Sequence, residues 1–233
     1  VMTLPFLFDR SYNIYGGNVM STMAGEFAYS MGLSIAVLSI GFAAKGMKTG
    51  NYRVLTAVLV ALAGLTHLFT GIFAAVAALF LFLLRPGKRE VSWAAVAGPL
   101  GFLLAAFWVI PFAWNTKYLN DMGWGKEREY VKALWSRSGN FGGQQFLVNE
   151  PMLQIFVVLA ILGAVLCGLR RVRLGMALAL TAAFFAGLFI LLPEGRLWNV
   201  RILPLYYLSI YLMAGIALSE VSRLAADFLR SHD

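Results

Sequence analysis

GGNVMSTMAGEFAYSMG, residues 16–32, is the stretch whose reading decides the fold. It begins as a Gly-, Ser- and Thr-rich polar loop and runs without a gap into an apolar segment ending near Ala44. That continuity makes it the mouth of a membrane-length helix, since about 20 apolar residues suffice to cross a bilayer. One carboxylate, Glu26, stands at the junction. A charge at membrane depth is costly and turns toward protein, water or a ligand, which makes Glu26 a functional candidate. The alternative is structural. After Ser21, Thr22 and Gly25, Glu26 would cap the helix start, where a negative charge suits the helix dipole.

The rest of the chain has the same character. Of its 233 residues, 60% are hydrophobic and 13% charged, and mean hydropathy is +0.75. A soluble domain is about 45–50% apolar and about 25% charged. No segment alternates with a period of two, as a barrel strand would. The composition predicts an all-α, polytopic transmembrane helical bundle. A net charge of +8 would suit nucleic acid, but the basic residues fall mostly in short loops between apolar runs. They therefore report topology first and contact with anionic membrane lipids second, and no nucleic-acid partner is expected. The single Cys167 lies inside an apolar run, which excludes a disulfide framework and a cysteine metal site and predicts helix packing. The chain opens Val-Met-Thr-Leu with no basic then apolar leader. It begins inside what reads as an extracytoplasmic loop, so it is expected to belong to a longer chain.

Residues 1–24 read as a loop and 25–44 as the first helix, closed by Lys45, Gly46, Lys48 and Gly50. The next apolar run, 54–84, is long for one helix and short for two full spans. Arg53 precedes it and Arg85, Lys88 and Arg89 follow, so the positive-inside rule places both ends in the cytoplasm. A hairpin of two short helices is predicted, turning near residues 64–67; its rival, one strongly tilted helix, would invert everything downstream. Further spans are predicted at 91–114, with Pro99 and Pro111 as kink points, and at 152–169, 174–192 and 201–219. With the hairpin counted as two, about seven membrane helices result. The transmembrane domain is then 1–219, with extracytoplasmic loops 1–24, 115–150 and 193–200. Residues 220–233 form a cytoplasmic amphipathic tail with Val221, Leu224, Ala225 and Phe228 on its apolar face. The extracytoplasmic side also carries seven of the eleven carboxylates: Asp9, Glu26, Asp121, Glu127, Glu129, Glu150 and Glu194.

Residues 115–150 are too many for a plain connection. Within them, 126–136 (KEREYVKALWS) has helical spacing, with Tyr130, Val131, Leu134 and Trp135 on one face. That suits a helix on the membrane surface or one packed on the protein's own loops. Residues 138–145 (SGNFGGQQ) form a candidate lid, and the whole loop could dock a protein partner.

No Walker A loop, dinucleotide fingerprint, HExxH or Cys/His metal spacing occurs. His67, in LTHLFTG, is the one histidine outside the tail. At a hairpin apex its imidazole either binds a phosphate or sugar hydroxyl, or satisfies backbone carbonyls freed by the break. Arg196 and Arg201 flank Trp198 and Asn199. Guanidinium groups suit bidentate phosphate binding, and Trp198 could stack on a sugar; the alternative is an interfacial belt of snorkelling Arg and aromatics. With Glu26 and Asp9 as carboxylates, these residues predict one extracytoplasmic cavity. A carboxylate to deprotonate a hydroxyl and cations to hold a phosphate leaving group are what glycosyl transfer from a lipid phosphate needs.

Residues 16–32, LTHLFTGIFAA at 65–75 and RLWNVRILPLYYL at 196–208 resemble bacterial integral membrane proteins carrying the domain called 6-pyruvoyl-tetrahydropterin synthase-related. These are similar to the YfhO-like group of the type C (GT-C) glycosyltransferase superfamily. The resemblance covers about residues 1–85 and 194–218, and the middle is compatible in hydropathy. It implies a GT-C-like fold in the plasma membrane and a transferase using a polyprenyl-phosphate-linked sugar donor outside the cytoplasm. The acceptor would be a cell-envelope glycan or glycolipid. In that superfamily the base is an acidic residue just after the first helix, and these 233 residues show no such helix ahead of the first loop. The resemblance therefore implies an acid upstream, with Glu26 and Asp9 orienting substrate or holding a divalent metal ion. The rivals are a transporter or lipid flippase using the broken hairpin at His67 as a midplane site, and a non-catalytic membrane subunit.

Overall fold

The computed structural model describes residues 3–10, 12–121, 125–136, 140–141, 144–145 and 151–230. Two short helices come first, α1 (Thr3–Leu7) and α2 (Val19–Met23). Then follow α3 (Phe27–Thr49), α4 (Arg53–Thr66), α5 (Leu68–Leu83) and α6 (Lys88–Trp114). The chain closes with α7 (Pro151–Arg170), α8 (Arg173–Leu191) and α9 (Leu203–Arg230). A two-residue antiparallel pair, β1 (Asn140–Phe141) and β2 (Gln144–Gln145), is the one extended element among the described residues. Five helices, α3, α6, α7, α8 and α9, are long and apolar enough to cross a membrane, and α4 and α5 are shorter apolar helices.

Residues 54–84 do form a hairpin, broken at His67 between α4 and α5. At 14 residues, α4 is about 21 Å long against about 35 Å for the 23 residues of α3, so the hairpin stops short. Its apex meets α3 one to two turns from that helix's start, where Thr70 packs on Gly32. Glycine permits the approach: a Cβ on Gly32 would stand 2.4 Å from Thr70 Oγ1, and one on Gly71 would stand 2.4 Å from Gly64 Cα.

Basic residues gather at the opposite end. There Arg89 Nη1 donates to Lys48 O at 2.8 Å, Trp93 Nε1 to Asn51 O at 2.7 Å, and Arg173 Nε to Leu81 O at 2.6 Å. These bonds tie α6 to the end of α3 and α8 to the end of α5, and the Arg173–Glu90 pair at 3.4 Å links α8 to α6. The helix α9 is the centre of the bundle, with 72% of its apolar window buried, whereas α6 is peripheral at 17%. Around α9 the core collects Tyr29, Phe73, Phe185, Phe189 and Tyr207. Cys167 is buried there too, against Gly175.

Three expectations change. Residues 1–24 are not a plain loop: besides α1 and α2 they bury Phe6, Tyr12, Tyr15 and Asn18. The expected helix over 126–136 shrinks to one turn and a π-turn at Lys132–Ser136, with Ala133 buried and Val131 and Trp135 exposed. Two of its carbonyls are instead held by the last helix, Tyr206 Oη donating to Leu134 O at 3.0 Å and Tyr207 Oη to Ala133 O at 2.7 Å. Finally, α9 runs unbroken to Arg230, so the boundary expected at 219/220 falls inside one helix. Of the candidate lid, only 140–141 and 144–145 are among the described residues, and Glu150 lies outside them.

Candidate functional site

The quoted stretch builds its site by burying a polar staple. Asn18 is fully buried at the N-cap of α2, where Oδ1 accepts from Ser21 N at 2.8 Å. Its Nδ2 donates to Asp9 O at 2.7 Å and Tyr12 O at 2.8 Å, closing the preceding loop. Gly16 and Gly17 adopt φ of +113° and +87°, which glycine permits at no steric cost. A Cβ on Gly16 would sit 2.4 Å from the ring of Tyr29, so this loop lies directly on that tyrosine.

Glu26 occupies the N-cap position of α3 yet makes no side-chain cap bond. Its Oε2 lies 2.5 Å from Arg201 Nη1 instead, with both side chains about three-quarters buried. Arg201 Nη1 is buried without a well-aligned hydrogen-bond acceptor, so this contact is an ion pair and not a directed hydrogen bond. Tyr29, one turn after Glu26, donates from its hydroxyl to Arg201 O at 2.7 Å. Side chain and backbone of Arg201 are thus both held by the first turn of α3. The Arg201 guanidinium also lies 5.6 Å from the Trp198 ring centre, a cation–π distance.

His67 joins through Tyr29, their ring centres 4.4 Å apart. Its backbone is extended, with φ −157° and ψ 128°, which is the break between α4 and α5. The carbonyls at the break are met by Thr70, whose Oγ1 lies 2.8 Å from both Ala63 O and His67 O. The imidazole does not serve them: His67 Nδ1 is buried and has no hydrogen-bond partner. An unpaired buried nitrogen costs about 1–3 kcal/mol, so such a group needs an explanation, and a ligand is one.

The structure therefore brings Glu26, His67, Arg201 and Trp198 together and leaves two predicted members apart. Asp9 belongs to another set, its Oδ2 accepting from Tyr211 Oη at 3.4 Å, two turns into α9. Arg196 is exposed and takes no part in these contacts. Trp198 is already engaged, its indole N–H donating to Gly125 O and its ring lying edge-on to Tyr15 at 5.8 Å. The sequence reading missed Tyr29, although its spacing from Glu26 places both on one helix face. It also missed Asn199. That buried side chain accepts from Glu127 N at 3.0 Å and donates to Glu127 O at 2.9 Å, strapping residues 125–136 over the start of α9.

Described parts of the three expected loops meet at this end, through Tyr15 on Trp198, Trp198 on Gly125 and Asn199 on Glu127, opposite the basic one. An apolar cavity of about 450 Å³ lies elsewhere, between α4, α5 and α6, and its lining includes none of Glu26, Tyr29, His67 and Arg201. Among the described residues no three of His, Cys, Asp and Glu come together to hold a metal ion. The divalent metal that the resemblance implies thus has no ligand set in this cluster. No family model, curated protein or solved structure matches the chain.

Proposed function

We propose that this chain is part of a membrane glycosyltransferase that takes a polyprenyl-phosphate-linked sugar at the extracytoplasmic face. The acceptor is a cell-envelope glycan or glycolipid. The observation that carries the reading is the unpartnered, buried Nδ1 of His67 beside the Glu26–Arg201 pair. In this reading α4 and α5 count as a short hairpin, the bundle has seven membrane helices in a GT-C-like arrangement, and its basic end faces the cytoplasm. The clustering of Lys and Arg at the end away from Glu26 supports that orientation.

The reaction breaks the bond between the anomeric carbon and the lipid-phosphate oxygen. The acceptor oxygen bonds to that carbon and gives up its proton, and the lipid phosphate departs with the bonding electrons. His67 Nδ1 and the remaining guanidinium N–H groups of Arg201 hold the departing phosphate, which is where negative charge develops. Glu26 keeps Arg201 aimed and is a positioning residue. The proton-accepting carboxylate is one that this cluster does not supply. Trp198 and Tyr29 fix Arg201, Tyr29 also packs on the His67 ring, and neither binds sugar.

A lipid flippase is the second reading, favoured by the same helix break, because discontinuous helices build midplane sites in transporters. The test is full-length protein in proteoliposomes with a panel of short-chain polyprenyl-phosphate sugars. Release of polyprenyl phosphate, reduced at least tenfold by His67→Ala in folded protein, is the expected result. Movement of the lipid between leaflets without bond cleavage would replace the first reading with the second. Cleavage that His67→Ala leaves unchanged would remove the proposed role of this cluster.

A further inference from the structure

At the basic end two cations stand unpaired on one short turn. Arg89 Nη1 holds Lys48 O at 2.8 Å and Arg53 Nε holds Gly50 O at 3.1 Å, so both guanidinium groups converge on residues 48–50. Lys48 is exposed beside them. Among the described residues neither arginine has a carboxylate partner, and Glu90 is engaged by Arg173 at 3.4 Å. Two guanidinium groups anchored on carbonyls of one turn make it a positively charged patch that suits an anion.

These cations sit at the mouth of the apolar cavity. One helical turn places Arg53 on the face of Ala57 and Arg89 on the face of Trp93, and both Ala57 and Trp93 line it. The cavity is a groove floored by α4, because α4 packs on both α5 and α6 while those two scarcely touch. From Trp93 to Val109 it follows α6 for about 24 Å, longer than the ~15 Å half-thickness of a hydrocarbon core. Its lining is almost wholly apolar and rich in Ala and Gly, a surface that suits a flexible acyl chain lying along α6.

We propose that Arg53 and Arg89 bind the phosphate of an anionic glycerophospholipid whose acyl chain lies in the α4–α5–α6 groove. Guanidinium recognises phosphate through paired N–H donors, and basic pockets between membrane helices on the cytoplasmic side hold anionic head groups. The site is separate from the Glu26–Arg201 cluster and stands whatever reaction that cluster supports.

The test is native mass spectrometry and thermal melting of delipidated full-length protein with phosphatidylglycerol, phosphatidylcholine or inorganic phosphate. Phosphatidylglycerol should bind at least tenfold more tightly than phosphatidylcholine, and inorganic phosphate should not stabilise. Arg53→Gln with Arg89→Gln should bring the two lipids within twofold. Should that pair fail to fold, Arg89→Gln alone, whose side chain is exposed, should lower the preference at least threefold. A Cβ on Gly98, a lining residue, meets no atom within 4 Å. Gly98→Phe should therefore fold, fill the groove and weaken both lipids. Equal binding of the two lipids, a preference that survives the arginine changes, or equal protection by inorganic phosphate would each overturn the proposal. So would a dimer that forms on the groove and excludes lipid.

Discussion

Glu26 and Arg201 meet at 2.5 Å across 175 positions of sequence, joining the start of α3 to the turn that begins α9. With Tyr29 gripping the carbonyl of the same arginine, polar groups of the first turn of α3 hold both ends of Arg201. The energetic consequence is a coupling term. Glu26→Gln keeps the shape and removes the charge, leaving a three-quarters-buried guanidinium unmet, and should cost about 1–3 kcal/mol. Arg201→Gln should cost a similar amount, and the double variant less than the sum. A double-mutant cycle by chemical denaturation in detergent measures this. Strict additivity would mean that the two charges do not interact.

Thr70 should matter to the hairpin as a donor and not for its bulk. Thr70→Val preserves volume and removes the hydroxyl serving Ala63 O and His67 O. Those carbonyls keep their backbone donors, with His67 N on Ala63 O at 3.0 Å and Thr70 N on His67 O at 3.1 Å. The loss is therefore that of one bond, about 1 kcal/mol, or roughly 2–4 °C in Tm. An unchanged Tm would show that the hydroxyl does not hold the break.

Two glycines of the hairpin and α6 should respond oppositely to alanine. Gly71→Ala drives a methyl against backbone atoms of Gly64 and should destabilise by about 1–3 kcal/mol. Gly98→Ala meets nothing and reduces the freedom of the unfolded chain, so it should stabilise by about 0.4–1 kcal/mol. Melting curves of the two variants decide; equal shifts would contradict the close packing of α4 on α5.

The hairpin was legible because two facts of the sequence combine: basic residues at both ends of residues 54–84, and a polar Thr-His interruption inside it. Its turn falls at His67, within the expected four residues. The short helices α1 and α2 were not legible, because five residues form a helix only where burial holds them. The strap over α9 left no sequence signal either, since Tyr206 and Tyr207 bond to main-chain oxygens about seventy residues away and any residue supplies those. Charge in the sequence marked Asp9 and Arg196 as well as Glu26 and Arg201, but a one-dimensional reading gives no depth. Asp9 is drawn to Tyr211 and Arg196 to solvent.

Asn199 should control whether residues 125–136 stay closed over α9. Asn199→Ala breaks both bonds to Glu127 and leaves Phe189 O without its side-chain donor, a local loss of about 2 kcal/mol. Local opening then rises more than tenfold, because about 1.4 kcal/mol is a factor of ten in population. Trypsin cleavage after Arg128 or Lys132 should accelerate correspondingly while global melting changes little. Unchanged cleavage would mean that the strap is held by Tyr206, Tyr207 and Trp198 alone.

His67 gives the sharpest separation of function from folding. Its ring packs on Tyr29 and lies 5.9 Å from Phe69, yet Nδ1 has no partner, so the imidazole is held by its shape and penalised for its polarity. Replacing a buried unmet group by an apolar one of similar shape is neutral or stabilising. His67→Phe should therefore melt at or above the wild-type temperature while turnover of the lipid-linked donor falls at least tenfold. A residue retained for stability would behave the other way, losing several degrees on substitution and keeping activity. Measuring Tm and donor turnover on the same preparation distinguishes these outcomes. A clear drop in Tm would show that Nδ1 is satisfied after all, and the case for a ligand at His67 would fall with it.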